Sequence, residues 1–183
     1  MPLIGVLALQ GGFAAHARML RGLGADVREV RVAADLYGLD GLVIPGGEST
    51  TMTLGIEREA MAEPLRAFAA PVFGTCAGLI MLDREHLGML DVVARRNAFG
   101  RQVRSFEADL EIAGIDGPPL RAVFIRAPWI AEHGEGVEIL ASVDGHAVAA
   151  QQGRMLAVAF HPELGADTRL HERFLAMCVA ASA

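Results

Sequence analysis

Cys76 stands in the run Pro71-Val72-Phe73-Gly74-Thr75-Cys76-Ala77-Gly78-Leu79-Ile80, where an apolar strand meets Gly-x-Cys-x-Gly and an apolar helical stretch follows. That spacing is the cysteine form of a nucleophile elbow. Glycines on both sides leave room for a turn too tight for a Cβ, and they tolerate strained dihedrals. The helix that follows points its N-terminus at the sulfur, which favours thiolate over thiol. The alternative is a small buried cysteine after a core strand, a common fate for this residue type.

A thiol nucleophile needs a base. Leu156-Ala157-Val158-Ala159-Phe160 reads as a buried strand ending in His161-Pro162-Glu163. A histidine at a strand end can reach a thiol at the end of a neighbouring strand. Glu163, two residues on, can hold the second ring nitrogen and fix the tautomer. Pro162 stiffens the link and removes a backbone donor. Solvated His and Glu at an ordinary strand-to-turn boundary is the alternative. The other histidines, His16, His86, His133, His146 and His171, end no apolar strand beside an acid. They are expected at the surface or as capping residues. Asn97 is the single asparagine, so a Cys-His-Asn arrangement would have to use it.

A second turn has the composition of a binding loop. Gly41-Leu42-Val43-Ile44 runs into Pro45-Gly46-Gly47-Glu48-Ser49. Paired glycines allow close approach of a substrate and leave N–H groups as oxyanion donors. Glu48 can accept from a substrate ammonium or amide. Equally, Glu48 or Ser49 can serve only as a helix cap.

These residues need a scaffold that brings their turns together. Leu3–Leu9, Val27–Val32, 41–44 and Val72–Phe73 read as strands; Phe13–Leu23 and segments from about Thr51 to Ala70 read as helical. Alternation of this kind specifies a three-layer α/β fold, with a mostly parallel central sheet covered by helices on both faces. Its sites lie at the carboxyl ends of the strands, where Gln10, Gly46, Gly47, Glu48 and Cys76 all fall. The second half reads as antiparallel additions: strands at 90–93, 108–112, 122–125, 137–143, 146–151 and 156–160, with a hairpin at Ser142–His146. Asp167–Ala181 reads as a closing amphipathic helix capped by Asp167 or Thr168.

With 183 residues, 52% of them apolar, the chain is long enough for one domain with a real core, and 1–183 is expected to be one unit. No stretch has the length of a membrane span. The N-terminus reads as a first strand without a signal-peptide pattern, and with two cysteines this suggests a reducing cytoplasm. Cys178, in the apolar final helix, reads as packing. A net charge of −6 argues weakly against nucleic acid. All sixteen basic residues are arginine, so the chain has neither a P-loop lysine nor a Schiff-base lysine.

Taken together, several segments resemble one family. They are Gly5–Gly11, Pro45–Thr50, Gly74–Ile80, Arg95-Arg96-Asn97-Ala98-Phe99-Gly100-Arg101-Gln102, Phe124–Pro128 and Phe160–Leu164. They resemble the glutaminase subunits of the two-protein pyridoxal 5′-phosphate synthase, within the class I, triad-type glutamine amidotransferases of flavodoxin-like fold. The resemblance implies that Cys76 attacks the side-chain amide of L-glutamine to give a glutamyl thioester, with His161 shuttling protons and Glu163 orienting it. It implies glutamine binding by Gly46, Gly47, Glu48, Arg96, Ile125 and Arg126. It places Gly46, Gly47, Ala77 and Gln10 in the oxyanion site and its activation. Ammonia would pass to a synthase subunit in a complex of twelve plus twelve, active mainly when docked. No metal or bound cofactor is implied in this chain.

Two departures stand out. The stretch between Ile80 and His86 is shorter than the family pattern, and the start of the first helix is more apolar. Three rivals differ in class. A cysteine peptidase-like or redox-protective protein on a similar sheet carries a His directly after the Cys, where this chain has Ala77. An amidotransferase subunit for histidine or purine synthesis carries other residues in place of Gly-Gly-Glu-Ser-Thr. A silent interaction module would have no reason to keep Cys76, His161 and Glu163 together.

Overall fold

A computed structural model of the protein describes residues 1–96, 99 and 105–182. Residues 97, 98, 100–104 and 183 lie outside it, and with them Asn97 and most of the Arg-Asn-x-Phe-Gly-Arg-Gln segment.

Five strands form the parallel part of the main sheet: β1 (Leu3–Leu7), β2 (Asp26–Val30), β3 (Gly41–Ile44), β4 (Val72–Thr75) and, late in the chain, β11 (Met155–Val158). Their spatial order is β2-β1-β3-β4-β11. β3, β4 and β11 are buried along their whole length, as expected of parallel strands covered on both faces. The sheet continues antiparallel through β10 (His146–Gln152), β8 (Trp129–His133) and β5 (Val92–Arg95), with β9 (Glu138–Val143) also paired to β10. β6 (Ser105–Leu110) and β7 (Leu120–Ile125) make a separate two-stranded ribbon. The three-layer expectation with antiparallel additions therefore describes the molecule.

Helices α1 (Phe13–Gly22), α2 (Ser49–Arg58), α3 (Ala62–Arg66), α4 (Ala77–Leu82) and α5 (Arg169–Ser182) cover the sheet, with 3-10 turns at Ala33–Leu36 and Pro162–Leu164. The helical segments expected from about Thr51 to Ala70 are α2 and α3, separated at Ala60, which takes φ of 51°. The hairpin at Ser142–His146 is present. Asp144 and Gly145 at its tip both have positive φ, 49° and 79°, the backbone a tight right-twisting hairpin requires. Both residues proposed to start α5 contribute. The Thr168 carbonyl accepts the Glu172 N–H at 2.9 Å. Asp167 accepts the Arg169 N–H at 3.1 Å.

Phe73, Phe124, Phe160 and Phe174 are fully buried, and each side chain contributes about 1.5–3 kcal/mol of apolar burial. Phe174 lies against Phe73 at 5.7 Å between centroids, seating α5 on the central strands. Gly41 admits that helix, because a Cβ there would crowd Phe174 and the Cys178 sulfur. Burial pushes the Cys178 thiol up to about 12, the state of an inert packing cysteine.

Candidate active site

Four turns meet at one edge of the sheet: Gln10-Gly11-Gly12 after β1, Pro45-Gly46-Gly47 after β3, Cys76 after β4 and His161 after β11. The sheet order β1-β3-β4-β11 makes them neighbours in space although up to about 150 residues separate them in the chain.

Cys76 is the strained residue of the elbow. Its φ of 50° and ψ of −105° are unusual for any side chain with a Cβ and cost on the order of 1–3 kcal/mol. Its N–H donates to the Val158 carbonyl at 2.9 Å, which ties the strained turn to β11. The flanking glycines work differently from expectation: neither Gly74 nor Gly78 has positive φ among the described residues. They supply clearance. A Cβ on Gly74 would come within 2.7 Å of the Gly78 carbonyl oxygen, and one on Gly78 would strike the Ile44 carbonyl. The Cys76 Sγ lies 3.8 Å from the Ile125 carbonyl oxygen.

His161 Nδ1 is 2.8 Å from Glu163 Oε1, and the ring lies close enough to Cys76 for the sulfur to influence its charge. Burial works against the imidazolium, but the Cys76 sulfur on one side and the Glu163 carboxylate on the other outweigh it and raise the ring to about 10. Burial pulls Glu163 the other way, yet the hydrogen bond from His161 holds its carboxyl below the usual range. Among the described residues, Cys76, His161 and Glu163 thus form a connected chain with the base between nucleophile and acid. This is the relay a thiol hydrolase needs.

Gly46 touches this chain directly. A Cβ there would sit 3.0 Å from His161 Nδ1 and 3.2 Å from the Cys76 Cβ. Its N–H, expected as a donor to substrate, is already taken by the Thr75 hydroxyl at 3.1 Å. Gly47, with φ of 153°, is packed against the Gln10 amide. Gln10 Oε1 in turn accepts the Glu48 N–H at 3.0 Å, so the turn after β1 braces the turn after β3.

Glu48 turns out to be the helix cap. Its carboxylate accepts the Thr50 N–H at 3.0 Å, the Thr51 N–H at 2.8 Å and the Thr51 hydroxyl at 2.7 Å. The Thr51 hydroxyl and these two amides lower its carboxyl to about 2. It also lines a cavity of ≈ 330 Å³ together with Gly47, Ser49, Cys76, Ala77, Ile80, Arg96 and Arg126. The Arg96 guanidinium reaches the Thr50 hydroxyl at 3.2 Å. One carboxylate and two guanidiniums therefore ring a pocket whose floor is the elbow cysteine, a charge pattern suited to a small zwitterion. Ala77 opens α4, so its N–H has no intrahelical acceptor, and the residue lines the same cavity.

Two histidines overturn their expected surface placement. His16 and His171 are both 0% exposed. His16 Nδ1 is 2.9 Å from His171 Nε2, and His16 Nε2 is 3.1 Å from Thr75 Oγ1 and 3.3 Å from Glu163 Oε2. Burial pushes His16 down to about 4 and His171 down to about 3. Their positions carried a signal: Phe13, His16, Ala17 and Leu20 share one face of α1, and His171, Phe174 and Cys178 share one face of α5. His146 is also no plain turn residue, since its ring stacks on Trp129 at 3.5 Å. His133 is exposed as expected, and His86 is bound to Asp83 at 2.7 Å.

Fold and site together define a class I-type α/β thiol amidohydrolase architecture, an elbow cysteine with a strand-end histidine and an acid. A family model described as the SNO glutamine amidotransferase family matches residues 6–180, and the chain belongs to that family. A protein of Parafrankia sp. (strain EAN1pec), named pyridoxal 5′-phosphate synthase subunit PdxT, is 54% identical over 95% of this chain and 92% of its own. One of the same name from Acidothermus cellulolyticus is also 54% identical, over 98% of this chain and 95% of its own. A crystal structure of a glutamine amidotransferase superposes with a TM-score of 0.89 at 44% identity, covering 96% of this chain and 98% of that one.

Proposed function

We propose that this chain is the glutaminase subunit of a pyridoxal 5′-phosphate synthase: it hydrolyses L-glutamine to L-glutamate and ammonia, and ammonia passes to the synthase subunit. Residues 1–183 act as one glutaminase domain. The observation that carries the reading is the Cys76–His161–Glu163 chain on the floor of a pocket lined by Glu48, Arg96 and Arg126. Glu48 receives the substrate ammonium, for which a capping carboxylate retains free lone pairs. Arg96 and Arg126 face the substrate carboxylate, and Ile125 borders the sulfur.

The Cys76 sulfur attacks the side-chain carbonyl carbon. The Ala77 and Gly47 N–H groups receive the oxyanion, with Gly46 holding the turn in place. His161 gives its proton to the amide nitrogen, the C–N bond breaks, and ammonia leaves a glutamyl thioester. Water then loses a proton to His161 and adds to the thioester; the C–S bond breaks, releasing glutamate and restoring the thiolate. Glutamine and one water give glutamate and one ammonia.

Gln10, bridging to the Glu48 N–H, is placed to pass a docking event to the Gly46-Gly47 turn. The complex is taken to hold twelve copies of each subunit and to work in the reducing cytoplasm, where Cys76 stays reduced. No helix among the described residues is long and apolar enough to cross a membrane. A diazoketone analogue of glutamine tests the assignment by alkylating the nucleophile. Mass spectrometry should place the adduct on Cys76 alone, with free glutamine protecting it. An adduct elsewhere, or labelling indifferent to glutamine, overturns the reading.

A further inference from the structure

The triad does not end at Glu163. That carboxylate turns one oxygen, Oε1, to His161 and buries the other, Oε2, which has no partner in hydrogen-bond geometry. His16 Nε2 approaches Oε2 to 3.3 Å, an electrostatic approach rather than an aligned hydrogen bond. The same nitrogen meets Thr75 Oγ1 at 3.1 Å, and Thr75 Oγ1 accepts the Gly46 N–H. On its far side His16 meets His171 at 2.9 Å. A single buried ring from α1 therefore contacts the acid of the triad, the residue before the nucleophile, and a histidine of α5.

The network assigns the tautomer. With a proton on Nε2, His16 presents a donor to Thr75 and to the Glu163 carboxylate, and its Nδ1 lone pair accepts from His171 Nε2–H. The atom left over is then His171 Nδ1 as an unprotonated acceptor, and that atom is indeed buried without a partner. The opposite tautomer would aim a lone pair at a carboxylate and strand a buried N–H on His171. A doubly protonated His16 would divide the Glu163 charge between two cations and loosen its hold on His161. Among the described residues, the titratable groups facing the ring are Glu163 and His161 from beyond the end of β11, and His171 from α5. Burial, pressing His16 down to about 4, keeps it neutral through the physiological range.

We propose that His16 is a positioning residue of the triad: neutral and protonated on Nε2, it ties Glu163 to Thr75, so that the base arm, the nucleophile strand and the Gly46 turn are held as one piece, with His171 setting its tautomer. This rests on the triad reading and deepens it. Glutamine-dependent glutamate release should be measured with the full chain in complex with the synthase subunit. His16→Leu should lower kcat roughly ten- to a hundredfold, the range such supporting partners command, with KM for glutamine within about twofold. The acid limb of the pH profile should move up, because Glu163 takes a proton more readily without its donor. His16→Gln keeps a donor and an acceptor and should recover most of the loss. Equal loss in both variants, or an unchanged kcat and pH profile in His16→Leu, overturns the proposal. Should His16→Leu fail to fold, nitrogen-15 spectra of histidine-labelled wild-type chain still decide it. A neutral, Nε2-protonated His16 at pH 7 is expected; an imidazolium or an Nδ1-protonated ring contradicts it. Cys76→Ala in the same assay reports on the triad itself, and its outcome leaves the tautomer result untouched.

Discussion

At the scale of residues, the site is defined by what cannot be added to it. A Gly46→Ala change pushes a methyl group against His161 and Cys76, so kcat should fall by on the order of a hundredfold while the fold survives, read by glutamate release beside thermal melting. Thr75→Val keeps the shape but orphans the buried Gly46 N–H, and urea titration should show a loss of about 1–3 kcal/mol. Titration runs in two directions. His161 is raised to about 10, so its contribution to stability is complete below pH 6.5 and fades as pH climbs towards 10. His16 and His171 are lowered to about 4 and 3, so unfolding takes up protons below pH 6.5 and stability falls as pH drops towards 4 and then 3. The lowered Glu163 loses its contribution in acid as well. The urea midpoint should therefore peak near neutrality and fall on both sides; a midpoint flat from pH 7 down to pH 4 would contradict the burial of the two histidines as neutral rings. The grouping of Cys76, His161 and Glu163 was legible in the sequence because Cys76 and His161 each follow an apolar strand and Glu163 lies two residues beyond the histidine. Glu48 kept two roles open, and the structure supplies the capping bonds that only three-dimensional contacts reveal. The burial of His16 and His171 was not legible because a titratable side chain on an amphipathic helix ordinarily belongs to its polar face.

At the scale of elements, apolar runs of four to seven residues marked the buried parallel strands almost to their ends. β8 escaped, since Trp129-Ile130-Ala131-Glu132-His133 is exposed along most of its length and carries no apolar alternation. The stretch after α4 is organised by a buried carboxylate. Asp83 accepts the Glu85 N–H at 2.9 Å, the His86 N–H at 3.1 Å and the Ala94 N–H at 3.1 Å. The last of these pins β5, which leads directly into Arg96 at the pocket rim. Asp83→Ala leaves the buried Ala94 N–H without an acceptor and takes one from the part-buried Glu85 and His86 amides. It should cost at least about 1–3 kcal/mol and raise KM for glutamine more than it lowers kcat, measured by denaturation and steady-state kinetics.

At the scale of the whole molecule, sheet order does the assembling: parallel strands 1, 3, 4 and 11 bring four turns from distant parts of the chain to one edge. Alternation of strands and helices made that architecture legible, whereas the pairing of β5, β8, β9 and β10 depends on contacts that no local pattern encodes. A chain without lysine cannot itself carry Schiff-base chemistry on a lysine amine. The most direct test of the account is glutamate release from glutamine by Cys76→Ala mixed with the synthase subunit. The account predicts a fall to background, at least about a thousandfold below wild type. Full activity in that variant would contradict it.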